Sequence, residues 1–545
     1  MVLCSIFCMI STILLLCFCF LTFDNPGVVA EQLNVGILIP WKGYWPIGPK
    51  IATAIILAFE DLANEDNLLP GYNISWVWMD TLADWNPAAA LTLVNHFDIH
   101  AFIGPVSFIS CISVAPIANS SSMPLISLSQ ASSFRDKSQY PMFSTVTIDD
   151  TQRTTSCVKM MEHFGWENLA VIWEELYFPS TVERLFLEMV EAGYNVVFNQ
   201  SFPQIDSDIG YGSKLEWMGQ LKATGVRIIF VLAWCPDVRD ILLSAHDLDM
   251  IDGYVYVLYM ESSSCHHDYF GLDNGRDEEA LALFDGTLSL KVHHNETGRY
   301  NDFIAEMKSR CMDFPYAYPP NGPLQPIIES EELYTSFNDS AYDMQGLNCL
   351  DVGEYGGFWA ASLYDAIYLY YLASNETWAA GYDPKTDRRK VVEKIKGFQF
   401  SGVLGHVRID EKGSRIPNTI LLQNIRVDDG SMYFDDVGVY HPFIDSLDVD
   451  EMAIRWPGGL TTVPEDIIVD VEADSSDKPT ELSGNDEMEG DSDSTDISES
   501  DEMEDDSDSD QTLGLEKSGA STNLALKWLL IFMMTGIIAR MMTTF

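Results

Sequence analysis

Leu33-Asn34-Val35-Gly36-Ile37-Leu38-Ile39-Pro40 is an apolar run closed by a proline, and an apolar-periodic stretch from Ile51 to Asn64 follows it. The first reads as a strand buried on both faces, because a sheet covered on both sides has no polar alternation. The second reads as a helix from its spacing of apolar residues. The pair then repeats. Ala101-Phe102-Ile103-Gly104-Pro105, Pro124-Leu125-Ile126-Ser127, Asn168 to Trp173, Asn195-Val196-Val197-Phe198 and Arg227 to Leu232 read as further strands. Gln152 to Phe164 and Pro179 to Glu191 read as helices between them. Strand and helix in alternation predict an α/β fold of parallel sheets with right-handed crossovers. In such sheets ligands sit at the carboxyl ends of the strands.

The two ends of the chain read differently from this middle. Residues 1–30 carry a short apolar core around Ile10 to Leu16, no Lys or Arg, and small residues at Val28-Val29-Ala30. This predicts a signal peptide cleaved before Glu31, with a signal anchor as the alternative. Residues 465–511 form an acidic low-complexity stalk. Between Glu465 and Asp510 there are 21 acidic residues and one Lys, out of a net charge of −51 for the whole chain. A segment this charged cannot bury enough surface to fold and extends by self-repulsion. The same negative charge excludes a nucleic-acid backbone as partner. Residues 524–545 are apolar around Leu529 to Ala539, bracketed by Lys527 and Arg540. They read either as a single membrane span or as a GPI signal following Ser518-Gly519-Ala520. Both readings place the bulk of the chain on the extracellular face of a cell membrane.

Cysteine and sequon usage fit that side. Cys111, Cys157, Cys235, Cys265, Cys311 and Cys349 lie beyond the signal, an even number that suggests disulfides in an oxidising compartment. Their spacing offers no zinc site. Glycosylation acceptor patterns occur at Asn73, Asn119, Asn199, Asn295, Asn338 and Asn375. Catalytic motifs are absent: no G-x-S-x-G, HExxH or phosphate-binding loop. His266-His267-Asp268 and His293-His294 are adjacent pairs whose side chains diverge in regular structure, so they predict exposed loops rather than a metal site.

Phe400-Ser401-Gly402-Val403-Leu404-Gly405-His406-Val407-Arg408-Ile409-Asp410-Glu411-Lys412-Gly413-Ser414-Arg415 is the strongest local signal. It reads as a strand, a turn with Gly413 at its corner, and a return into Thr419-Ile420-Leu421-Leu422. It also resembles, nearly position for position, the F-x-G-x-x-G-x-v-x-i-D-x-x-G-x-R signature of receptor guanylate cyclase and natriuretic peptide receptor ectodomains. Tyr364-Asp365-Ala366 with Tyr370 and Asn375-Glu376-Thr377, Leu69-Pro70-Gly71-Tyr72, His163-Phe164-Gly165-Trp166, Pro236 to Leu242, and Trp456-Pro457-Gly458-Gly459 before Val463-Pro464 look like further landmarks of that family. The resemblance runs from about Leu33 to Pro464. It implies that residues 31–464 form a two-lobed type I periplasmic-binding-protein-like fold with three crossovers and a cleft. It further implies a side-by-side homodimer and an extracellular peptide ligand. The kinase-like and cyclase segments have no counterpart, so the chain would act as a decoy, clearance receptor or co-receptor rather than an enzyme.

Some positions depart from the family. Ser107 stands where the pattern has a cysteine, and the partner position falls near Ala83. The insertion from about Cys311 to Cys349 has no clear counterpart. A Cys311–Cys349 bridge is expected to close it, because a bridge limits the freedom of a long loop. In this fold the loops after the first strands line the cleft. Ligand contacts are therefore expected from Trp41, Lys42, Tyr44, Ser107, Ser129, Gln130, Trp173 and Glu174. Trp41 and Trp45 have a second reading, in which they pack their loop onto its own lobe. Gly104, Val106 and Ser107 resemble the turn whose amides hold a chloride in natriuretic receptors, which makes chloride the one cofactor expectation. Two alternatives stand beside the peptide. One is a small-molecule or amino-acid sensor, although Ser129-Gln130-Ala131 lacks the hydroxyl pair that clamps amino acids in metabotropic glutamate receptors. The other is a surface adhesion protein that kept the fold without a ligand.

Overall fold

A computed structural model describes residues 30–43, 45–82, 87–175, 178–203, 211–259, 274–293, 298–311, 354–417 and 419–466. All belong to the first of two units, Met1–Glu472. The signal peptide, most of the stalk, the 524–545 segment, Tyr44, Ala83, Cys265, Cys349, Asn295, Asn338, His266-His267-Asp268 and His294 lie outside the described residues. Among the described residues, no helix is long and apolar enough to cross a membrane.

Strands are numbered along the chain. β1 (Glu31–Ile39), β2 (Tyr72–Asp80), β3 (Ala101–Ile103), β4 (Leu125–Ser127) and β5 (Phe143–Ile148) build the first sheet. The chain then passes to a second lobe for β6 (Asn168–Glu174), β7 (Asn195–Phe202), β8 (Ile228–Leu232), β9 (Val255–Leu258) and β10 (Leu288–His293). It returns through the Gly298–Arg310, Glu354–Ala379 and Arg388–Ile395 helices to a hairpin of β11 (Gln399–Gly402) and β12 (Gly405–Arg408). β13 (Ser414–Arg415) then joins the first sheet, and a third passage leads to β14 (Thr419–Asp428), β15 (Ser431–His441) and β16 (Ser446–Val449) in the second. The first sheet runs β13-β5-β4-β3-β1-β2 and all its pairs are parallel. The second runs β16-β15-β14-β10-β9-β8-β6-β7, parallel from β10 to β7 and antiparallel where β14, β15 and β16 extend it. Each sheet has apolar clusters of its own on its faces.

Thr419–Leu422 is not the return arm of the Phe400 hairpin, which corrects the sequence expectation. β11 pairs with β12 across the Val403-Leu404 turn, whereas β14 pairs with β10 and β15 in the other lobe. The reason is burial: Val403, Leu404, Val407 and Ile409 sink into the first lobe, and Ile420 and Leu422 sink into the second.

The hairpin is held from below by one carboxylate. Asp365, fully buried in the Glu354–Ala379 helix, accepts from the Val403 amide at 2.7 Å and the Leu404 amide at 3.4 Å. Arg415, also buried, lies 3.8 Å from Asp365 and donates to the Leu404 carbonyl at 2.9 Å and the Val146 carbonyl at 3.4 Å. Gly402 is required here by close approach, since a Cβ on it would lie 2.5 Å from both Asp365 oxygens.

Two other landmark pairs are fasteners of the same kind. Phe164 stacks on Trp166 at 4.5 Å, and Trp456 meets both rings edge-on at 5.5 and 6.0 Å. The Trp166 indole donates to the Pro464 carbonyl at 3.1 Å, and Asp466 accepts from the Glu167 and Asn168 amides at 2.6 and 2.8 Å. At the far end, the Leu69 amide donates to Asn375 at 3.0 Å and the Tyr72 hydroxyl donates to Asp383 at 2.9 Å.

Cys235 and Cys311 each take part in a disulfide. Cys111 and Cys157 are free and buried, one in each lobe, so the even count does not mean complete pairing. Asn73 and Asn199 are exposed; Asn119 and Asn375 are half-buried.

Gly402→Ala is expected to destabilise the chain by about 1–3 kcal/mol, because the pinned carboxylate cannot move aside. Urea unfolding of the variant checks this, and an unchanged midpoint would show that Asp365 has room to yield.

Candidate functional site

A cavity of about 140 Å³ lies between the two lobes. An apolar protein cavity of about 150 Å³ holds a molecule the size of benzene, so this is space for a small organic group. Trp45, Ser107, Phe108, Ser129, Gln130 and Trp359 line it from the first lobe. Asp150, Arg153, Phe178, Thr181, Trp234 and Tyr259 line it from the second. Several of these residues follow closely on a strand. Asp150 comes after β5, Trp234 after β8 and Tyr259 after β9, as expected at the carboxyl ends of parallel strands.

First turns of four helices meet here. Ser107 caps the Phe108–Ser120 helix by accepting from the Ser110 amide at 3.3 Å, and Asp149 caps the Asp150–Phe164 helix by accepting from the Thr151 amide at 3.0 Å. Ser180 and Thr181 begin the Pro179–Glu191 helix, and Trp234 precedes the Cys235–Asp247 helix. Helix N-termini carry partial positive charge, so the cavity favours an anionic group on these sides.

Asp150 supplies the opposite sign. Its carboxylate accepts from the Thr181 hydroxyl at 2.6 Å and the Tyr259 hydroxyl at 3.3 Å. Burial pushes its pKa up to about 6, with the Thr181 bond and the Arg153 charge pulling the other way. Arg153 stacks 4.2 Å over the Tyr259 ring and donates to the Leu290 carbonyl at 3.3 Å. The Asp150 amide donates to the Gln130 carbonyl at 2.9 Å, which ties the lobes at the cavity floor.

Of the expected ligand residues, Ser107, Ser129 and Gln130 come together on the cavity wall. Trp41 packs on Trp78 at 5.0 Å inside its own lobe, while Trp45 reaches the cavity and meets Trp359 edge-on at 5.4 Å. Lys42 is exposed outside the lining, with its amide on Asp80 at 3.3 Å. Trp173 donates to Asn199 at 2.9 Å on the outer edge of the second sheet. Among the anion candidates, Val106 and Ser107 line the cavity, while the Gly104 amide is taken by the Ile126 carbonyl at 2.8 Å. Gly104 itself is required by geometry: φ is +85° and a Cβ would lie 2.1 Å from the Leu38 carbonyl oxygen.

Glu174 lies behind the lining rather than in it. It is fully buried, and among the described residues neither carboxylate oxygen has a hydrogen-bond partner. Burial pushes its pKa up to about 8 and the Asp237 charge adds to this; the nearby Trp234 amide, short of hydrogen-bond geometry, and the Lys214 ammonium oppose it. Lys214 is already committed to Asp237 at 2.6 Å and Asp240 at 3.3 Å.

Asp150, Arg153, Thr181, Trp234, Tyr259 and Trp359 were not singled out from the sequence. The strand-end rule points to Asp150, Trp234 and Tyr259. Trp359 sits inside a helix, where no local pattern separates it from core.

Residues 50–426 match the receptor family ligand binding region, and the chain belongs to that family. It is 24% identical over 466 residues to gamma-aminobutyric acid type B receptor subunit 1 of Mus musculus, covering 82% of this chain and 44% of that protein. It is 25% identical over 441 residues to the receptor-type guanylate cyclase gcy-13 of Caenorhabditis elegans, covering 74% of this chain and 38% of that one. It is 23% identical over 324 residues to human atrial natriuretic peptide receptor 3, covering 57% of this chain and 52% of that one. The chain thus spans well under two thirds of each.

Glu174→Gln is expected to flatten the pH dependence of stability. A carboxyl whose folded pKa is raised binds its proton more tightly when folded, so wild-type stability falls as pH rises from about 4.5 towards 8. Comparing urea midpoints at both ends for wild type and variant checks this; equal slopes would rule out Glu174 as a source.

Proposed function

We propose that this chain is an extracellular receptor region whose lobes close on a small organic ligand carrying a cationic group, received by Asp150. The observation that carries the reading is a buried, doubly bonded carboxylate in a small cavity walled by aromatics from both lobes. An ammonium there would gain the ion pair and aromatic faces together. The helix N-termini around Ser107 and Thr181 suit an anionic end on the same ligand, so a zwitterion fits best. This reading draws on the relative named for gamma-aminobutyric acid. A peptide, suggested by the relative named for a natriuretic peptide, fits less well, because the cavity has room for about one side chain. Closure would be the output, passed to a second copy or to a co-receptor at the membrane. No cofactor is needed.

Calorimetry on the full chain with a panel of ω-amino acids, α-amino acids and simple amines should find saturable binding that secreted peptides do not match. Asp150→Asn is expected to weaken the best binder by about 30-fold or more, the usual effect of removing one partner of a buried charge pair. Binding by peptides alone, or indifference to Asp150→Asn, would sink the reading. Affinity should also fall from pH 7 to pH 5. Protonation of Asp150 below its pKa of about 6 removes the charge, by up to about tenfold per unit of pH.

A further inference from the structure

We infer that Arg135 is a positioning residue for the cleft, a staple that sets the balance between open and closed lobes. It stands outside the cavity, in the short Ser132–Arg135 helix of the first lobe. One terminal guanidinium nitrogen, Nη1, bonds Asp149, and the other, Nη2, bonds Asp410 at 2.6 Å. These two carboxylates mark two of the three passages between the lobes. Asp149 ends the run from β5 and caps the second-lobe helix that begins with Asp150. Asp410 holds the turn before β13, accepting from the Lys412 and Ser414 amides at 2.8 and 2.9 Å, and β13 leads into the third passage.

A planar guanidinium fork fits one spacing and one orientation of its partners. Rotation of the second lobe must turn Asp149 relative to Asp410, because the first is continuous with the moving helix and the second is fixed in the first-lobe hairpin. The fork therefore favours the lobe angle seen here over others. Asp149 is almost fully buried and Arg135 about a quarter exposed, so solvent screens the pair only in part. The effect reaches the cavity directly: the helix whose N-cap Arg135 grips carries Asp150 and Arg153 on its first turn.

The inference rests on lobe closure but not on the identity of the ligand, so its test uses no ligand. Fluorophores on unnatural side chains at exposed positions 95 and 191 of the full chain, one in each lobe, report the interlobe distance. Arg135→Gln is expected to shift the ratio of distance populations by about fivefold or more, the low end of ordinary conformational coupling. Asp149→Asn and Asp410→Asn each keep the oxygen that caps the backbone and replace the one that faces Arg135. They should give the same shift, and neither should add to Arg135→Gln. Should Arg135→Gln not fold, the two Asp→Asn variants carry the test alone. An unchanged distance distribution, with or without a loss of thermal stability, would overturn the proposal and leave Arg135 a merely structural residue. Failure of the amine panel would leave this result untouched.

Discussion

Asp365 is the point on which the arrangement of the lobes depends. A carboxylate with no exposure is costly unless its oxygens are bonded and its charge is met. Here two amides of the Val403-Leu404 turn and the buried Arg415 supply both. Burial pushes Asp365 up to about 6 and pulls Arg415 down, and the attraction between the two charges opposes both shifts. Arg415 also grips the Val146 carbonyl in β5. β5 runs straight into Asp149 and Asp150, and Arg415 is the last residue of β13 before the third passage. One buried pair thus fixes the chain where it leaves the first lobe on both sides of the cavity.

Several motifs that carry the family resemblance act as such fasteners. Gly402 is glycine because Asp365 fills the space a side chain would take. Leu69 and Asn375, some three hundred residues apart in sequence, are bound by one hydrogen bond. A resemblance built on these positions transmits the fold faithfully and says little about the ligand.

This also explains what was legible in the sequence. Both-faces-buried strands such as Leu33–Ile39 and Ile228–Leu232 declare themselves by composition, and the Pro179–Glu191 helix by its period and its proline. β2, half-buried along most of its length, has no such run, and in β5, buried throughout, the run is broken by Ser144, Thr145 and Thr147. β14 was assigned to the wrong partner, because a strand's apolar residues state that it is buried but not in which lobe. For the cavity, position after a strand was a usable rule, and it fails only for residues like Trp359 that enter from a helix. Trp41 and Trp45 could not be told apart by type, since both lie in the loop after β1, and only their packing separates them: one on Trp78 in the core, the other at the cavity.

The clasp of Trp166, Trp456 and Asp466 has a mechanical consequence. The last described residues are anchored to the second lobe alone, through an aromatic wedge and a carboxylate seated on the Glu167 and Asn168 amides. Seen as a load path, the second lobe is a lever with its fulcrum at the three passages and its output arm at Asp466. On the proposed closure, a rotation of that lobe would be delivered there as a displacement of the chain, and a pull on the chain there would be felt in the cleft as torque.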